Sequence, residues 1–276
     1  MMKLLTRHVL CLLLLAPSLA AAQQPAPQKP FEPQVGQAGK DVVWVPTPPE
    51  LVEKMLDMAA VTPNDIVMDL GSGDGRNIIA AAKRGARAIG VEFNPEMVAL
   101  SRRLAQEAGV GDKATFVEGD MYTADISKAS VMALFLLPTN LDKLRDKFLA
   151  LRPGSRLVLN TFGISEWDPD ATEKIEGSCV SWCTAMLYIV PAPVGGTWKS
   201  LQGDVVLNQK FQVVTGTVGN GAQSAAISNG KLRGDQITFA AGGAEYSGKV
   251  SGDRIDGTRT MNGKKESWSA SRNQSQ

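Results

Sequence analysis

Three glycines at alternate positions, Gly71, Gly73 and Gly75, separate the apolar run Ile66-Val67-Met68-Asp69-Leu70 from the Ala-rich segment Asn77 to Arg84. Glycine weakens helix and strand interiors but takes positive φ freely, so this spacing predicts a tight strand-to-helix turn. Backbone in such a turn can approach a ligand closely, with the helix N–H groups aimed at it. The alternation continues downstream. Ala88–Phe93 reads as a strand, and Pro95–Ala108 as a helix with Pro in its first turn and Gly109 after its last. Thr115–Val117, Val131–Leu137 and Arg156–Asn160 read as further strands, with a helix from Leu141 to Leu151. Strands and helices in this order predict an α/β domain over residues 42–194, doubly wound and mostly parallel, with helices on both faces of the sheet.

After Pro193 glycine becomes frequent and helical periodicity stops. Short runs such as Asp204–Leu207, Phe211–Val218, Gln236–Phe239, Glu245–Val250 and Arg254–Thr258 are separated by Asn-Gly and Gly-Gly pairs. This predicts a second domain over residues 195–272, a small antiparallel all-β barrel or sandwich. Gly196-Thr197-Trp198 resembles the first strand of lipocalin-like barrels, in which the Trp plugs one end.

The N-terminus carries Lys3 and Arg7, an apolar run from Val9 to Leu15, and Ala20-Ala21-Ala22. A basic flank, a short apolar core and a small-residue end predict a signal peptide over residues 1–22, with no stable membrane span after its cleavage. Export to the periplasm or beyond follows. The Gln/Pro/Ala-rich stretch behind it predicts a disordered leader over residues 23–41. Lys+Arg 29 against Asp+Glu 28 gives a formal charge of +1, which excludes the basic footprint of a nucleic-acid binder. The single histidine is His8, inside the predicted signal peptide, so His-dependent triads and His metal sites are excluded. Cys179 and Cys183 lie in a segment, Cys179–Val190, that reads as one strand; four residues along a strand span about 13 Å, beyond disulfide reach, so both are expected to stay unpaired. No metal is expected.

Chemistry concentrates at three successive strand ends. The first carries Asp69-Leu70-Gly71-Ser72-Gly73-Asp74-Gly75-Arg76, the second Glu92 with Asn94, the third Asp120 with Met121. A dinucleotide fingerprint requires G-x-G-x-x-G, and Arg76 stands where its third glycine belongs. The D-x-G-x-G-x-G pattern with acids at strands two and three instead resembles class I S-adenosylmethionine-dependent methyltransferases, which have a Rossmann-like fold. The resemblance implies S-adenosylmethionine as cofactor: Asp69, Gly71, Ser72, Gly73 and Gly75 against its methionine part, Glu92 on the ribose hydroxyls, and Asp120 on the adenine amino group, with Asn94 and Met121 beside them.

Further stretches narrow the likeness: Trp44-Val45-Pro46-Thr47-Pro48, Gly90–Pro95, Leu134-Phe135-Leu136-Leu137-Pro138 and Trp167-Asp168-Pro169. Over roughly Val42 to Trp198 the chain is similar to small bacterial methyltransferases and to the mitochondrial lysine methyltransferases of the ATP synthase c-subunit and the adenine nucleotide translocase. A protein lysine is thereby one implied acceptor. Where those enzymes have Asp-Leu-Trp-Lys, this chain has Asp120-Met121-Tyr122-Thr123. Trp44, Leu137 and Pro138 are the residues expected to face the acceptor. Leu136-Leu137-Pro138 lacks the Asn/Asp-Pro-Pro-aromatic sequence that nucleobase and glutamine N-methyltransferases use, which disfavours those acceptors. The competing reading is an exported, non-catalytic binding protein whose pocket is vestigial or takes another nucleoside.

Overall fold

Proline, glycine and one asparagine cap punctuate the first half of the chain. In the computed structural model, which describes residues 31–177 and 179–272, the residues from Pro33 onward fold as one unit. The predicted signal peptide lies outside the described residues. The elements of the first half are α1 (Pro49–Met58), β1 (Ile66–Leu70), α2 (Arg76–Lys83), β2 (Arg87–Glu92), α3 (Pro95–Glu107), β3 (Ala114–Glu118), β4 (Val131–Leu134), α4 (Pro138–Leu149), β5 (Arg156–Asn160), β6 (Ala171–Lys174) and β7 (Thr184–Ile189). Helices α1, α3 and α4 each begin on a proline, whose missing N–H costs nothing in a first turn. Asn94 caps α3 by accepting the Glu96 N–H at 2.9 Å.

The seven strands are ordered β3-β2-β1-β4-β5-β7-β6. Strands β1 to β5 run parallel, and β7 runs antiparallel to both its neighbours. The order reverses between β1 and β4, which opens a crevice at their carboxyl ends. Helices α1, α2 and α3 cover one face through Leu51, Met55, Leu56, Ile78 and Val98. Helix α4 covers the other through Leu141, Leu144 and Phe148. Burial on both faces is why β1 and β4 are near-continuous apolar runs.

The second half forms β8 (Gly196–Ser200), β9 (Gly203–Lys210), β10 (Val213–Gly219), β11 (Ala225–Ala226), β12 (Ser228–Arg233), β13 (Gln236–Ala241), β14 (Ala244–Ser251), β15 (Arg254–Met261) and β16 (Lys264–Arg272). Pairing runs β10-β12-β13-β14-β15-β16-β8-β9 and closes through β9 on β10, an eight-stranded antiparallel barrel with β11 as a short addition to β10. Closure removes the exposed edges that an open sheet would leave. Its interior is filled by side chains: Phe239, Tyr246 and Trp268 pack with centroids 4.7 to 5.7 Å apart. Trp198 is fully buried, donates to the Val194 carbonyl at 2.8 Å, and lies under the Arg272 guanidinium, 4.4 Å from its ring centroid. Strand β16 carries only two buried residues, Trp268 and Ala270, so its periodicity is faint in sequence.

The barrel docks on the α/β half through Trp167, which is buried between Tyr188 and Phe211 and stacks on the Phe211 ring at 5.3 Å. Backbone and amide bonds reinforce the joint: Gln212 Nε2 donates to the Asp168 carbonyl at 2.7 Å and the Ala192 N–H to the Gly234 carbonyl at 2.8 Å.

Two expectations are corrected. Residues Cys179–Val190 are not one strand: β7 begins at Thr184, and Cys179 and Cys183 form a disulfide with their Cα atoms 5.9 Å apart. The extended spacing assumed for them fails because Trp182 takes φ +60°, which turns the chain back on itself. Nor is the leader disordered up to Asp41. Gly36 N–H donates to the Trp44 carbonyl, Trp44 N–H to the Gln37 carbonyl, and Ala38 bridges Val43, so residues 34–44 form a closed turn. Composition gave no sign of this because backbone bonds hold it rather than an apolar core.

Replacing the barrel plug tests its weight in the fold. Trp198→Ala is expected to lower stability by about 3–5 kcal/mol, read as a reduced midpoint in urea unfolding.

Candidate active site

The turn after β1 is welded to the end of β2. Gly71 N–H and Ser72 N–H both donate to the Val91 carbonyl, at 2.8 and 3.1 Å, and Gly73 N–H donates to Glu92 Oε2 at 2.9 Å. The other carboxylate oxygen of Glu92 accepts the Asn94 N–H at 2.9 Å. Gly73 has φ +54°, and a Cβ there would lie 2.7 Å from Trp44 Nε1, so only glycine lets the indole cover this turn. Gly75, at φ +82°, serves packing instead. A Cβ there would meet the Phe116 ring at 2.5 Å, so its bareness seats α2 against β3.

One cleft at the strand ends is lined by Trp44, Asp69, Gly71, Ser72, Gly73, Glu92, Asn94, Asp120 and Met121. The structure thus brings together residues from three strand ends and from the segment before α1. It leaves three candidates outside the lining. Gly75 is a packing position, and Leu137 and Pro138 begin α4, where Leu137 is exposed. The turn after β4 directs Phe135 to the cleft and Leu136 into the core.

Sequence reading did not single out several of the lining residues. Asn77, from the first turn of α2, donates to Asp69 Oδ2 at 3.0 Å and to the Ala133 carbonyl, tying α2 to β1 and β4. Arg76 grips Asp74 through Nε and a terminal nitrogen and donates to the Thr47 carbonyl at 2.7 Å, which anchors the segment bearing Trp44. Lys40, at the tip of the 34–44 turn, bonds Asp120 Oδ2 at 2.6 Å and stands 4.6 Å from the centroid of the Phe93 ring. A charged residue near each acid would have been the only sequence sign, and the linking contacts are 80 residues apart for Lys40 and Asp120.

Burial pushes the Asp69 carboxyl well above the ordinary carboxylate range; Asn77 opposes the shift by donating to it, and the neighbouring Glu92 and Asp74 charges add to it. Lys40 and the Tyr122 N–H hold Asp120 below that range. Asp69 Oδ1, Asn77 Oδ1 and Ser72 Oγ are buried with no partner among the described residues. Orphaned polar atoms beside a glycine cradle fit a polar ligand that offers hydrogen-bond donors. Because Asp69 has a raised pKa in the folded state, its contribution to stability is full below the ordinary value of 3.8 and is lost as pH rises through the raised one. Asp69→Asn should therefore gain stability relative to the parent as pH rises from about 4 to about 8, measured as the difference between paired urea-unfolding curves; a difference that stays flat with pH would contradict the assignment.

A family model described as the ANTKMT methyltransferase domain matches residues 69–171. A protein-lysine N-methyltransferase of Saccharolobus islandicus is 40% identical over 152 residues, 54% of this chain and 94% of that protein. The ATP synthase c-subunit lysine N-methyltransferase of Mus musculus is 36% identical over 144 residues, and the match covers 52% of this chain and 58% of that enzyme. Among solved structures, an RNA methyltransferase from Salinibacter ruber in complex with S-adenosyl-L-homocysteine is 42% identical, with a TM-score of 0.51, covering 54% of this chain and 96% of that one. The strand order, the glycine turn, the acids above it and these relatives agree: the chain belongs to the class I S-adenosylmethionine-dependent methyltransferases.

Proposed function

We propose that the enzyme transfers a methyl group to the ε-amine of a protein lysine. The observation that carries this acceptor is the agreement of the ANTKMT family model with two lysine N-methyltransferases, one of them matched over 94% of its length at 40% identity; the Salinibacter RNA methyltransferase is matched as broadly, so breadth alone does not choose between the two acceptors. A formal charge of +1 over 276 residues supports it against an RNA acceptor, which needs a basic track for phosphates.

The cleft residues divide the cofactor between them. Each Glu92 oxygen accepts one backbone N–H and keeps a lone pair for a ribose hydroxyl. Asp120 takes the adenine amino group beside Lys40, with Met121 and Asn94 flanking the nucleoside. Asp69, Gly71, Ser72 and Gly73 face the methionine part, whose ammonium would satisfy the orphaned Asp69 oxygen. When bound, the cofactor would supply an electrophilic methyl carbon and a neutral leaving group to an amine acceptor. The protein's part is alignment and exclusion of water, which Trp44 serves by covering Gly73.

Export is the location we propose with this activity. The signal-peptide pattern supports it, and so does the Cys179–Cys183 disulfide, since such bonds persist in oxidising compartments. N-terminal sequencing of the mature protein should start at Gln23; a start at Met1 would refute export.

Calorimetric titration with S-adenosylhomocysteine should give a Kd of about 100 µM or tighter, roughly −5.5 kcal/mol or better, with NAD giving no heat. Glu92→Ala should weaken it by at least about tenfold, or about 1.4 kcal/mol, through loss of charge-assisted hydrogen bonds. With methyl-labelled cofactor and an extract from the source cells, label recovered as methyl-lysine after acid hydrolysis supports the acceptor; label confined to RNA overturns it.

A further inference from the structure

Beyond the cofactor cleft, the ends of β4 and β5 carry an aromatic cluster that the methyl-donor site does not use. Phe135 lines the cleft, and Phe162 stacks on it at 6.2 Å between centroids with the rings 21° apart. Trp182 closes the corner, 5.8 Å from Phe135 and 5.4 Å from Phe162, tilted by 55° and 53°. Phe135 and Phe162 are half-buried and Trp182 is 39% exposed, so aromatic surface faces solvent next to the reactive cleft.

A second observation lies on the same turn. Asn160 Oδ1 and Thr161 Oγ1, directly before Phe162, are buried with no hydrogen-bond partner among the described residues. Leu134 pairs with Leu159 in the sheet, so Phe135 and Asn160 follow at the same level of neighbouring strands. The Asn160 amide is held near the cleft, its Nδ2 donating to the hydroxyl of the lining residue Thr47 at 3.2 Å, and unpartnered oxygens on the residues that lead into Phe162 suit a ligand with an alkyl body and N–H donors at its end. A primary ammonium answers this description: the rings attract its charge and cover its stem, and the oxygens accept hydrogen bonds from its N–H groups.

The corner is built from a strained part. Trp182 stands at φ +60°, a region bulky residues avoid, within the short loop that the Cys179–Cys183 disulfide closes. Ile175 N–H donates to the Cys183 carbonyl and Thr161 N–H to the Thr184 carbonyl, so this loop is hung on the same backbone that carries Phe162. The staple keeps the indole over the other two rings.

We infer that Phe135, Phe162 and Trp182, with Asn160 and Thr161, form the acceptor subsite for a lysine side chain, and that the disulfide positions its outer wall. The inference rests on the protein-lysine reading above.

The test uses the full chain saturated with S-adenosylhomocysteine and two probes, Nα-acetyl-lysine amide and the uncharged, similarly shaped Nα-acetyl-norleucine amide. The indole N–H resonance of Trp182 is identified as the one lost in Trp182→Phe, and that of the barrel residue Trp198 serves as a fold control. The lysine probe should shift the Trp182 resonance saturably, with half-saturation at least about five times lower than for norleucine, and leave Trp198 unmoved. Phe162→Ala, and separately the pair Cys179→Ser with Cys183→Ser, should raise the lysine half-saturation about five- to thirtyfold, the range of a lost cation–π contact, while S-adenosylhomocysteine affinity stays within about twofold of the parent. Equal response to both probes, or unchanged lysine binding in Phe162→Ala and the double serine variant, overturns the subsite. Those results do not bear on methyl-lysine in the labelling experiment, so a failed subsite and a failed acceptor assignment are told apart.

Discussion

Everything in the catalytic half depends on how closely the first glycine turn approaches the end of the second strand. Gly71 and Ser72 share the Val91 carbonyl, and Gly73 is held by the Glu92 carboxylate. Those bonds replace the ladder that β1 and β2 lose when the chain leaves the sheet, so a buried turn keeps its polar backbone satisfied. The same contacts aim Glu92 and leave Asp69 behind the turn with one oxygen unpartnered among the described residues. Fold and site are here one set of hydrogen bonds. A side chain at Gly73 would push Trp44 off the turn, and one at Gly75 would push α2 away from Phe116.

Around this turn the remaining contacts extend outward in layers. Arg76 reaches from α2 to the Thr47 carbonyl, and Asn160 from β5 to the Thr47 hydroxyl, so the segment leading to α1 is tied to both sides of the crevice. Lys40 then bonds Asp120 across another part of the cleft lining. At the far side of the sheet, Trp167 stacks on Phe211 and joins the barrel to the enzyme half. Among the described residues, the barrel contributes none to the cleft lining and makes its contacts at this joint.

Much of the α/β half was legible because its periodicities are strong. Each buried strand is an apolar run, α3 begins on proline, and Gly85 and Gly109 follow helix ends with positive φ, whereas α1 was not legible and α4, expected from Leu141, begins on Pro138. The acids Asp69, Glu92 and Asp120 were legible because each stands at or just past the end of such a run. The turn after β4 was less legible: periodicity could not say which of Phe135, Leu136 and Leu137 turns toward the cleft and which inward once β4 ends at Leu134. The disulfide was missed because a single positive φ at Trp182 outweighs the local strand propensity of its surroundings.

The amino-acid order by itself determined the succession of strands and helices, the glycine turn and the three acids above it, since these follow from local backbone preference and from which side chains avoid water. Tertiary structure alone decided which distant residues meet: Lys40 with Asp120, Asn77 with Asp69 and Ala133, Trp182 with Phe135 and Phe162, and Arg272 with Trp198. It also closed eight strands into a barrel, because ladder pairing is a non-local choice in which each strand's partner satisfies its backbone. Local patterns specify what an element is; only the packed chain specifies what it touches.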